Sequence, residues 1–460
     1  MTETNTDPSK LSDLLKRHGG PAPRYVAYPP PNLWEEAPPD GERARRLRSV
    51  LEKGSPLSLY VHVPLCSRLC HYCGCNTTIR PQRPEHGDNF VSHLRLELEA
   101  LGAGLEARPK VSSLHLGGGT PTFLNEEQLN ELMTAIREVV DLDSGGELSL
   151  ESNPETVTPS QLRTLWELGF TRISFGIQDF NDDTQRAINR RHTFEEVKTV
   201  VKACRNVGFS SINFDLVYGL PFQTTSRFSS TVEKVVELSP NRVALYHFAY
   251  LPEIKPHQRM IDPSTLPDPE EKFGIFQAAS GIFASRGYLP IGMDHFAKPD
   301  DALAIAFMEG RLKRSFMGYE ANPVTNLLGV GPSAISYLDG AYLRNAPSMS
   351  DWGHALDHGK REQDLWRELT EDDCSRHALI NDLLCNLELR EDAFVRALGK
   401  QAEEIVPILD GYVREDLMRR EENGWKVTEL GRPFVRTIAK NFDAYRNKTP
   451  KKARPFSSVS

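Results

Sequence analysis

Leu57-Ser58-Leu59-Tyr60-Val61-His62-Val63-Pro64-Leu65-Cys66-Ser67-Arg68-Leu69-Cys70-His71-Tyr72-Cys73-Gly74-Cys75 runs from a β-rich segment directly into four cysteines within ten residues. Strand alternation puts Leu59, Val61 and Val63 on one face and Tyr60 and His62 on the other. The spacing Cys66-x-x-x-Cys70-x-x-Cys73 lacks the two separated Cys-x-x-Cys pairs of a zinc ribbon. Three close thiolates suit three irons of a 4Fe–4S cube whose fourth iron has no protein ligand. A structural or zinc site is the competing reading. Cys75 is a fourth sulfur, but one residue from Cys73 it is awkwardly placed for the same cube, so it reads as near the site with its role open.

Outward from this loop the chain repeats a strand-then-helix rhythm. Short β-rich runs fall at residues 57–63, 111–116, 147–151, 172–177, 211–217 and 242–248, with amphipathic segments at 88–102, 125–140, 159–168, 182–189, 194–207 and 226–238. Successive βα units imply a parallel sheet with helical crossovers, and crossovers of one hand favour curling into a barrel. The expected fold is α/β, a partial (β/α)6 barrel over residues 55–345. Residues 1–54 read as an irregular Pro-rich arm with a helix near 41–53. Residues 346–460 read as a mostly helical domain in which Gly424-Trp425-Lys426-Val427-Thr428 is a short strand, suggesting a winged helix. In a packed barrel, polar residues at strand carboxyl ends share one mouth. Here these are the Cys loop, Gly117-Gly118-Gly119, Glu151, Gln178, Asp215 and residues 246–249. A glycine run at a strand end is commonly just a turn, but it also lets backbone approach a ligand closely.

Length and composition agree. The 460 residues are 39% hydrophobic and 26% charged, with mean hydropathy −0.45, which is globular rather than disordered. No apolar run reaches the ~18 residues of a membrane helix, and the polar start lacks a secretory signal. The expectation is a cytoplasmic protein without membrane association. A net charge of −8 argues against a general nucleic-acid binder. Seven cysteines make no disulfide scaffold, and Cys204, Cys374 and Cys385, in helical stretches, read as small core residues. The basic tail around Lys448, Lys451, Lys452 and Arg454 reads as a solvated end.

The Cys loop resembles that of the radical S-adenosylmethionine (SAM) enzymes. The longer stretch from Leu57 to Asn76 is similar to the oxygen-independent coproporphyrinogen III oxidase family. So are Leu114-His115-Leu116-Gly117-Gly118-Gly119-Thr120-Pro121-Thr122, Gly176-Ile177-Gln178-Asp179-Phe180-Asn181, Asp215-Leu216-Val217-Tyr218-Gly219-Leu220-Pro221 and Gly292-Met293-Asp294-His295-Phe296-Ala297. The resemblance runs from about Arg24 to the last helix. It implies a radical SAM barrel, a 4Fe–4S cluster on Cys66, Cys70 and Cys73, and two SAM molecules. Tyr60, Gly118 and Glu151 would contact the first. Tyr72, Gly119, Thr120, Gln178, Arg190, Asp215, Ala249 and Ile335 would line the remaining adenosyl pockets. Tyr60, His62, Cys75, Glu151 and Ile335 are the candidates nearest the chemistry. On residue type alone, Glu151 and Asp215 also suit barrel ion pairs, Ile335 the core, and His62 a structural hydrogen bond.

The implied reaction is decarboxylation of two propionates of coproporphyrinogen III to vinyl groups, giving protoporphyrinogen IX. It needs an electron donor such as flavodoxin or ferredoxin, and a monomer is expected. Arg24, Arg190 and Arg191 are candidates to neutralise substrate carboxylates. Two segments depart from the family pattern. Arg24-Tyr25-Val26-Ala27-Tyr28-Pro29-Pro30-Pro31 stands for the usual Arg-Tyr-Thr-Ser-Tyr-Pro-Thr-Ala. Phe316-Met317-Gly318-Tyr319-Glu320-Ala321 stands for Phe-Gln-Gly-Tyr-Thr-Thr. A related radical methyltransferase or cyclopropanase using both SAM molecules is therefore the alternative. A third reading is a haem-trafficking relative, in which Phe would replace Cys75.

Overall fold

The computed structural model describes residues 8–446 except 21, 37, 104, 323 and 361, with only the backbone of residues 8–11. The basic tail lies outside the described residues. Six parallel strands, β1 (Leu57–Val63), β2 (Lys110–Gly118), β3 (Asp141–Ser152), β4 (Arg172–Gln178), β5 (Ser211–Tyr218) and β6 (Arg242–His247), lie side by side in chain order. The crossovers carry helices α3 (Pro84–Gly102), α4 (Glu126–Val139), α5 (Pro159–Glu167), α6 (Asp182–Ala187), α7 (Phe194–Val207) and α8 (Thr225–Leu238). Several helices start where the local chemistry dictates. Asn125 with Gln128, Thr158 with Gln161 and Thr193 with Glu196 close reciprocal capping boxes that satisfy otherwise orphaned N–H groups.

Alternation decides which face of each strand is covered. Leu57, Leu59, Val61 and Val63 are fully buried and join Phe90, Leu94 and Leu98 of α3 in the main core. The opposite face carries a polar ladder across the sheet. His115 pairs in register with Ser149, Glu151 with Ser174, Ser174 with Asn213, and Gly176 with Asp215.

Among the described residues the sheet has two free edges and is not closed by hydrogen bonds. Beyond β6, after α9 (Pro269–Ser285), it continues through an antiparallel hairpin, β7 (Leu289–Ile291) and β8 (His295–Ala297), which α10 (Ala302–Met308) follows. Beyond β1 it continues through β9 (Asn326–Val330), parallel to β1, and then antiparallel β10 (Ile335–Leu338), β11 (Ala341–Asn345) and β12 (Gln363–Glu368). The short strand Glu35–Glu36 ends that edge. The sheet thus reaches Glu368, where β12 pairs with β11 across a register shift at Arg344/Asn345. Helix α11 (Met349–Asp357) packs back on α3, with Trp352 against Phe90 at 6.0 Å between ring centres.

The C-terminal unit begins with α12 (Glu371–Asn386). Its strands β13 (Glu388–Arg390), β14 (Met418–Glu421) and β15 (Gly424–Val427) form a small sheet in the order β13-β15-β14, with α13 (Glu391–Leu398) and α14 (Gln401–Arg414) between the first two. That is the winged-helix arrangement read from the sequence. The arm differs from its irregular reading in carrying a helix, α1 (Pro8–His18). Leu14, Leu15, Ala22, Tyr25 and Tyr28 from this end share a core with Phe434, Ile438 and Phe442. The Tyr25 hydroxyl donates to Asp443 at 3.1 Å, and the Ala444 N–H donates to the Tyr28 hydroxyl at 2.9 Å. Among the described residues no helix is long and apolar enough to cross a membrane.

Candidate active site

The cysteine loop leaves β1 at Pro64 and is fixed from outside by its backbone. Leu65–Cys66 pairs with Thr78–Ile79. His71 donates through Nδ1 to the Ala187 carbonyl at 3.0 Å, and Asn189 donates to the Leu69 carbonyl at 2.8 Å. His257 donates to the Cys73 carbonyl at 2.8 Å, Lys255 to that of Cys75 at 3.2 Å and Gln258 to that of Tyr72 at 3.2 Å. With carbonyls occupied on the outer side, the thiols are the groups left to bind something. Cys66, Cys70 and Cys73 are half-buried free thiols, and Cys75 is exposed.

Burial pushes the Cys66 thiol up to about 12 and raises Cys70 as well. Cys73 alone is held below its ordinary value, by a hydrogen bond with Cys75. Such buried thiols give up their protons to metal rather than to water. The Cys66 sulfur lies 3.4 Å from the Thr120 hydroxyl, and Arg190 Nη1 is 4.0 Å from the Cys70 sulfur, a cation beside a thiolate-rich site. Among the described residues no three His, Cys, Asp or Glu side chains gather as one bare metal ion needs. A cube asks for something else, soft sulfur donors each on a separate iron, and this all-thiol loop fits it.

The adjoining strand ends complete the site. The Gly118 N–H donates to Glu151 Oε2 at 3.0 Å, and the His115 imidazole stands 3.7 Å from Glu151 Oε1. Burial opposes ionisation of Glu151, but these partners outweigh it and keep the carboxyl below its ordinary value. His115 is held in turn by Ser149 at 2.8 Å and stacks on Tyr60. His62 donates through Nε2 to the Asn76 carbonyl at 2.9 Å and accepts the Tyr60 hydroxyl at Nδ1 at 3.0 Å. Desolvation keeps this imidazole neutral.

The glycine run is required by close approach. Gly118 has φ +109°, and a Cβ there would stand 2.5 Å from the His62 ring; one on Gly119 would stand 2.6 Å from the Pro64 carbonyl carbon.

Across the mouth, Asp215 accepts from Ser174 and Asn213 at 2.9 Å each, and burial pushes its carboxyl up to about 6. Gln178, at φ +65°, has a buried Oε1 with no hydrogen-bond partner among the described residues. Arg190 donates to the Gly176 carbonyl and sits 3.5 Å from Glu155. Tyr72 packs with Val217, Leu220 and Phe248 beside Ala249, whose carbonyl accepts from Gln258 at 3.0 Å. Ile335 is farther out. It opens β10 and packs with Ala27, Trp34, Phe316 and Tyr342. Its tie to the site runs through β9, where Gly329 is the register partner of Tyr60 and is too close to the Ile335 backbone to carry a side chain. His115, Ser149, Ser174 and Asn213 were not singled out from sequence as site residues. The signal was present, since each falls on the same alternate face as Glu151 or Asp215.

The radical SAM superfamily profile matches residues 60–235. The oxygen-independent coproporphyrinogen III oxidase of Pseudomonas aeruginosa is 38% identical over 440 residues, covering 94% of this chain and 95% of that protein. Its Escherichia coli K12 counterpart is 38% identical over 438 residues, 94% of each. The chain belongs to the oxygen-independent coproporphyrinogen III oxidase family. A solved structure of coproporphyrinogen III oxidase from Escherichia coli, described as a radical SAM enzyme, matches with a TM-score of 0.85 at 36% identity, over 92% of this chain and 97% of that one. As a radical SAM member of this oxidase family, the chain is an enzyme whose cofactors are a 4Fe–4S cluster and SAM.

Proposed function

We propose that this enzyme carries out the oxygen-independent oxidative decarboxylation of two propionates of coproporphyrinogen III, giving protoporphyrinogen IX. The observation that carries the reading is the juxtaposition of the Cys66–Cys70–Cys73 loop with the Gly118–Glu151 couple at one end of the barrel, in a chain whose relatives bear that activity's name over nearly their whole length.

Cys66, Cys70 and Cys73 hold the cluster. Tyr60, Gly118 and Glu151 take one SAM; Tyr72, Gly119, Thr120, Gln178, Arg190, Asp215 and Ala249 take a second, with Ile335 at the outer edge of these pockets. When bound, the cluster and SAM supply one electron and a hydrogen-abstracting adenosyl group. The residues supply the rest. Glu151, ionised at neutral pH, accepts from an ammonium group, and Asp215 accepts from ribose hydroxyls above about pH 6. The unpartnered Gln178 Oε1 offers one more acceptor. The Tyr60–His62–Asn76 chain fixes the wall beside Gly118. Loss of hydrogen from the propionate β-carbon, then of carbon dioxide and one electron, leaves a vinyl group; that electron balances the one supplied. A reduced flavodoxin or ferredoxin is the proposed donor.

The test is anaerobic reconstitution with iron and sulfide, followed by coproporphyrinogen III, SAM and a reductant. Two successive losses of carbon dioxide are expected. Uncoupled 5′-deoxyadenosine with unchanged coproporphyrinogen overturns the substrate, and a methylated product with S-adenosylhomocysteine replaces the reaction with methyl transfer.

A further inference from the structure

Beyond the cofactor-binding residues, one cavity collects side chains from widely separated parts of the chain. It has a volume of about 60 Å³ and lies where the ends of β5 and β6 meet the turn before β8, the arm, the Lys313–Glu320 hairpin and α15 (Val435–Ala439). Four guanidiniums line it, those of Arg24, Arg314, Arg432 and Arg436, against one carboxylate, Asp294.

The charges of Arg24 and Arg314 are not cancelled by the hydrogen bonds they make. Arg24 donates to the His247 carbonyl and Arg314 to the Arg24 carbonyl, both at 2.8 Å, and neither is ion-paired with a carboxylate among the described residues. Arg432 donates to the carbonyls of Gly292 at 2.7 Å and His295 at 3.0 Å. Carbonyls satisfy N–H groups but remove no charge. Asp294 is itself bonded to His295 at 2.8 Å. Burial, and then the Arg24 charge, push Arg436, itself buried, down to about 10, while Arg24 stands exposed at the rim. Both ring nitrogens of His247, in the same wall, are buried without hydrogen-bond partners among the described residues.

Size limits what completes this site. One water needs ~10–15 Å³ measured this way, so the cavity takes a group of a few heavy atoms. It is far short of the ~300 Å³ or more of a pocket for a whole drug-sized ligand. A carboxylate fits and a tetrapyrrole ring does not. The cavity also adjoins the reaction chamber. Tyr246 lines it, yet lies near enough to both Asp215 and Asp294 that, with burial, they hold its hydroxyl protonated.

We infer that this cavity is a carboxylate subsite that receives a non-reacting propionate of the substrate, with Arg24 and Arg314 as specificity-determining residues. The inference rests on the substrate reading above and sharpens it. Arg190, a carboxylate partner on sequence grounds, is instead engaged with Gly176, Glu155 and the cysteine loop.

The experiment uses the full chain and Arg24→Gln, Arg314→Gln and Arg24→Lys. Coproporphyrin III, the air-stable four-propionate analogue, is titrated by fluorescence, and KM and kcat are measured on coproporphyrinogen III with the reconstituted enzyme. Circular dichroism and cluster absorbance check folding. Each Gln variant is expected to raise Kd and KM about tenfold or more, as loss of a charge-assisted hydrogen bond predicts, with kcat changed less and Arg24→Lys recovering part of the loss. A porphyrin without carboxylates binds all four proteins alike. Kd and KM within twofold of the parent in both Gln variants overturn the subsite while leaving the function intact. A parent enzyme that leaves coproporphyrinogen III unreacted overturns the substrate reading and the subsite with it.

Discussion

The Gly118 N–H donates to Glu151 Oε2 at 3.0 Å, joining the glycine run at the end of β2 to the carboxylate at the end of β3. The bond works only because residue 118 has no side chain and adopts φ +109°. Gly118→Ala should therefore drive a methyl into the His62 imidazole and displace Glu151. Loss of SAM binding in equilibrium dialysis, with iron content retained, is the expected result. Glu151→Gln keeps the shape but removes the charge, and SAM affinity should fall about tenfold.

Iron and sulfide content tests the thiol assignment. Cys66→Ala, Cys70→Ala and Cys73→Ala should each lose the brown absorbance after anaerobic reconstitution, since each removes the ligand of one iron. Cys75→Ala should keep iron near the parent value, because that thiol is exposed and lies outside the trio. A full complement of iron in any of the first three contradicts the assignment.

Asp215 makes a prediction about pH. Its carboxyl is raised from 3.8 to about 6, chiefly by burial, so between about pH 4 and pH 6 the folded state holds more protons than the unfolded one. Stability from this group is then fully present below about pH 4 and is lost as pH rises through about 6. Asp215→Asn should raise the Tm of the cofactor-free chain at pH 8 by roughly a few degrees and leave it little changed at pH 4. Differential scanning calorimetry at the two pH values reads this directly.

Glu97 tests the scaffold. It is fully buried in α3, receives Arg43 at 2.6 Å, Trp352 Nε1 at 3.0 Å, Asn345 at 2.8 Å and the Gly331 N–H at 2.8 Å. Its removal leaves Arg43 with Glu362 as its remaining carboxylate, at 2.8 Å, and strands the Trp352, Asn345 and Gly331 donors, at a cost of about 3–5 kcal/mol. Glu97→Ala should show a lowered urea midpoint, with more of the chain in inclusion bodies.

Local signals carried much of the barrel. Residues 57–63 and 194–207 were readable to their end residues, because strand alternation and the Thr193–Glu196 capping box are written within a few positions. Polar residues at strand ends marked the mouth for the same reason. What depends on distant pairing left little trace. The antiparallel strands out to Glu368 need partners far along the chain, and α1 acquires its setting against the Pro269–Ser285 helix and the C-terminal unit. Nothing local marks Glu97 within α3; its burial depends on α2 (Glu42–Glu52), which brings Arg43 to it. Cys374, expected in the core, is exposed near the start of α12, whereas Cys204 and Cys385 are buried as expected. The two departing segments were visible as departures, but not that they meet: Ala27 and Phe316 belong to one apolar cluster with Trp34 and Tyr342.

The grip of residues 436–444 on Ala22, Tyr25 and Tyr28 sets an order of events during synthesis. The arm leaves the ribosome early, but its anchors are translated more than four hundred residues later. Until then Tyr25 and Tyr28 lack these partners and the arm has only its barrel contacts, Arg24 on the His247 carbonyl among them, so this wall of the chamber is the last part to be finished.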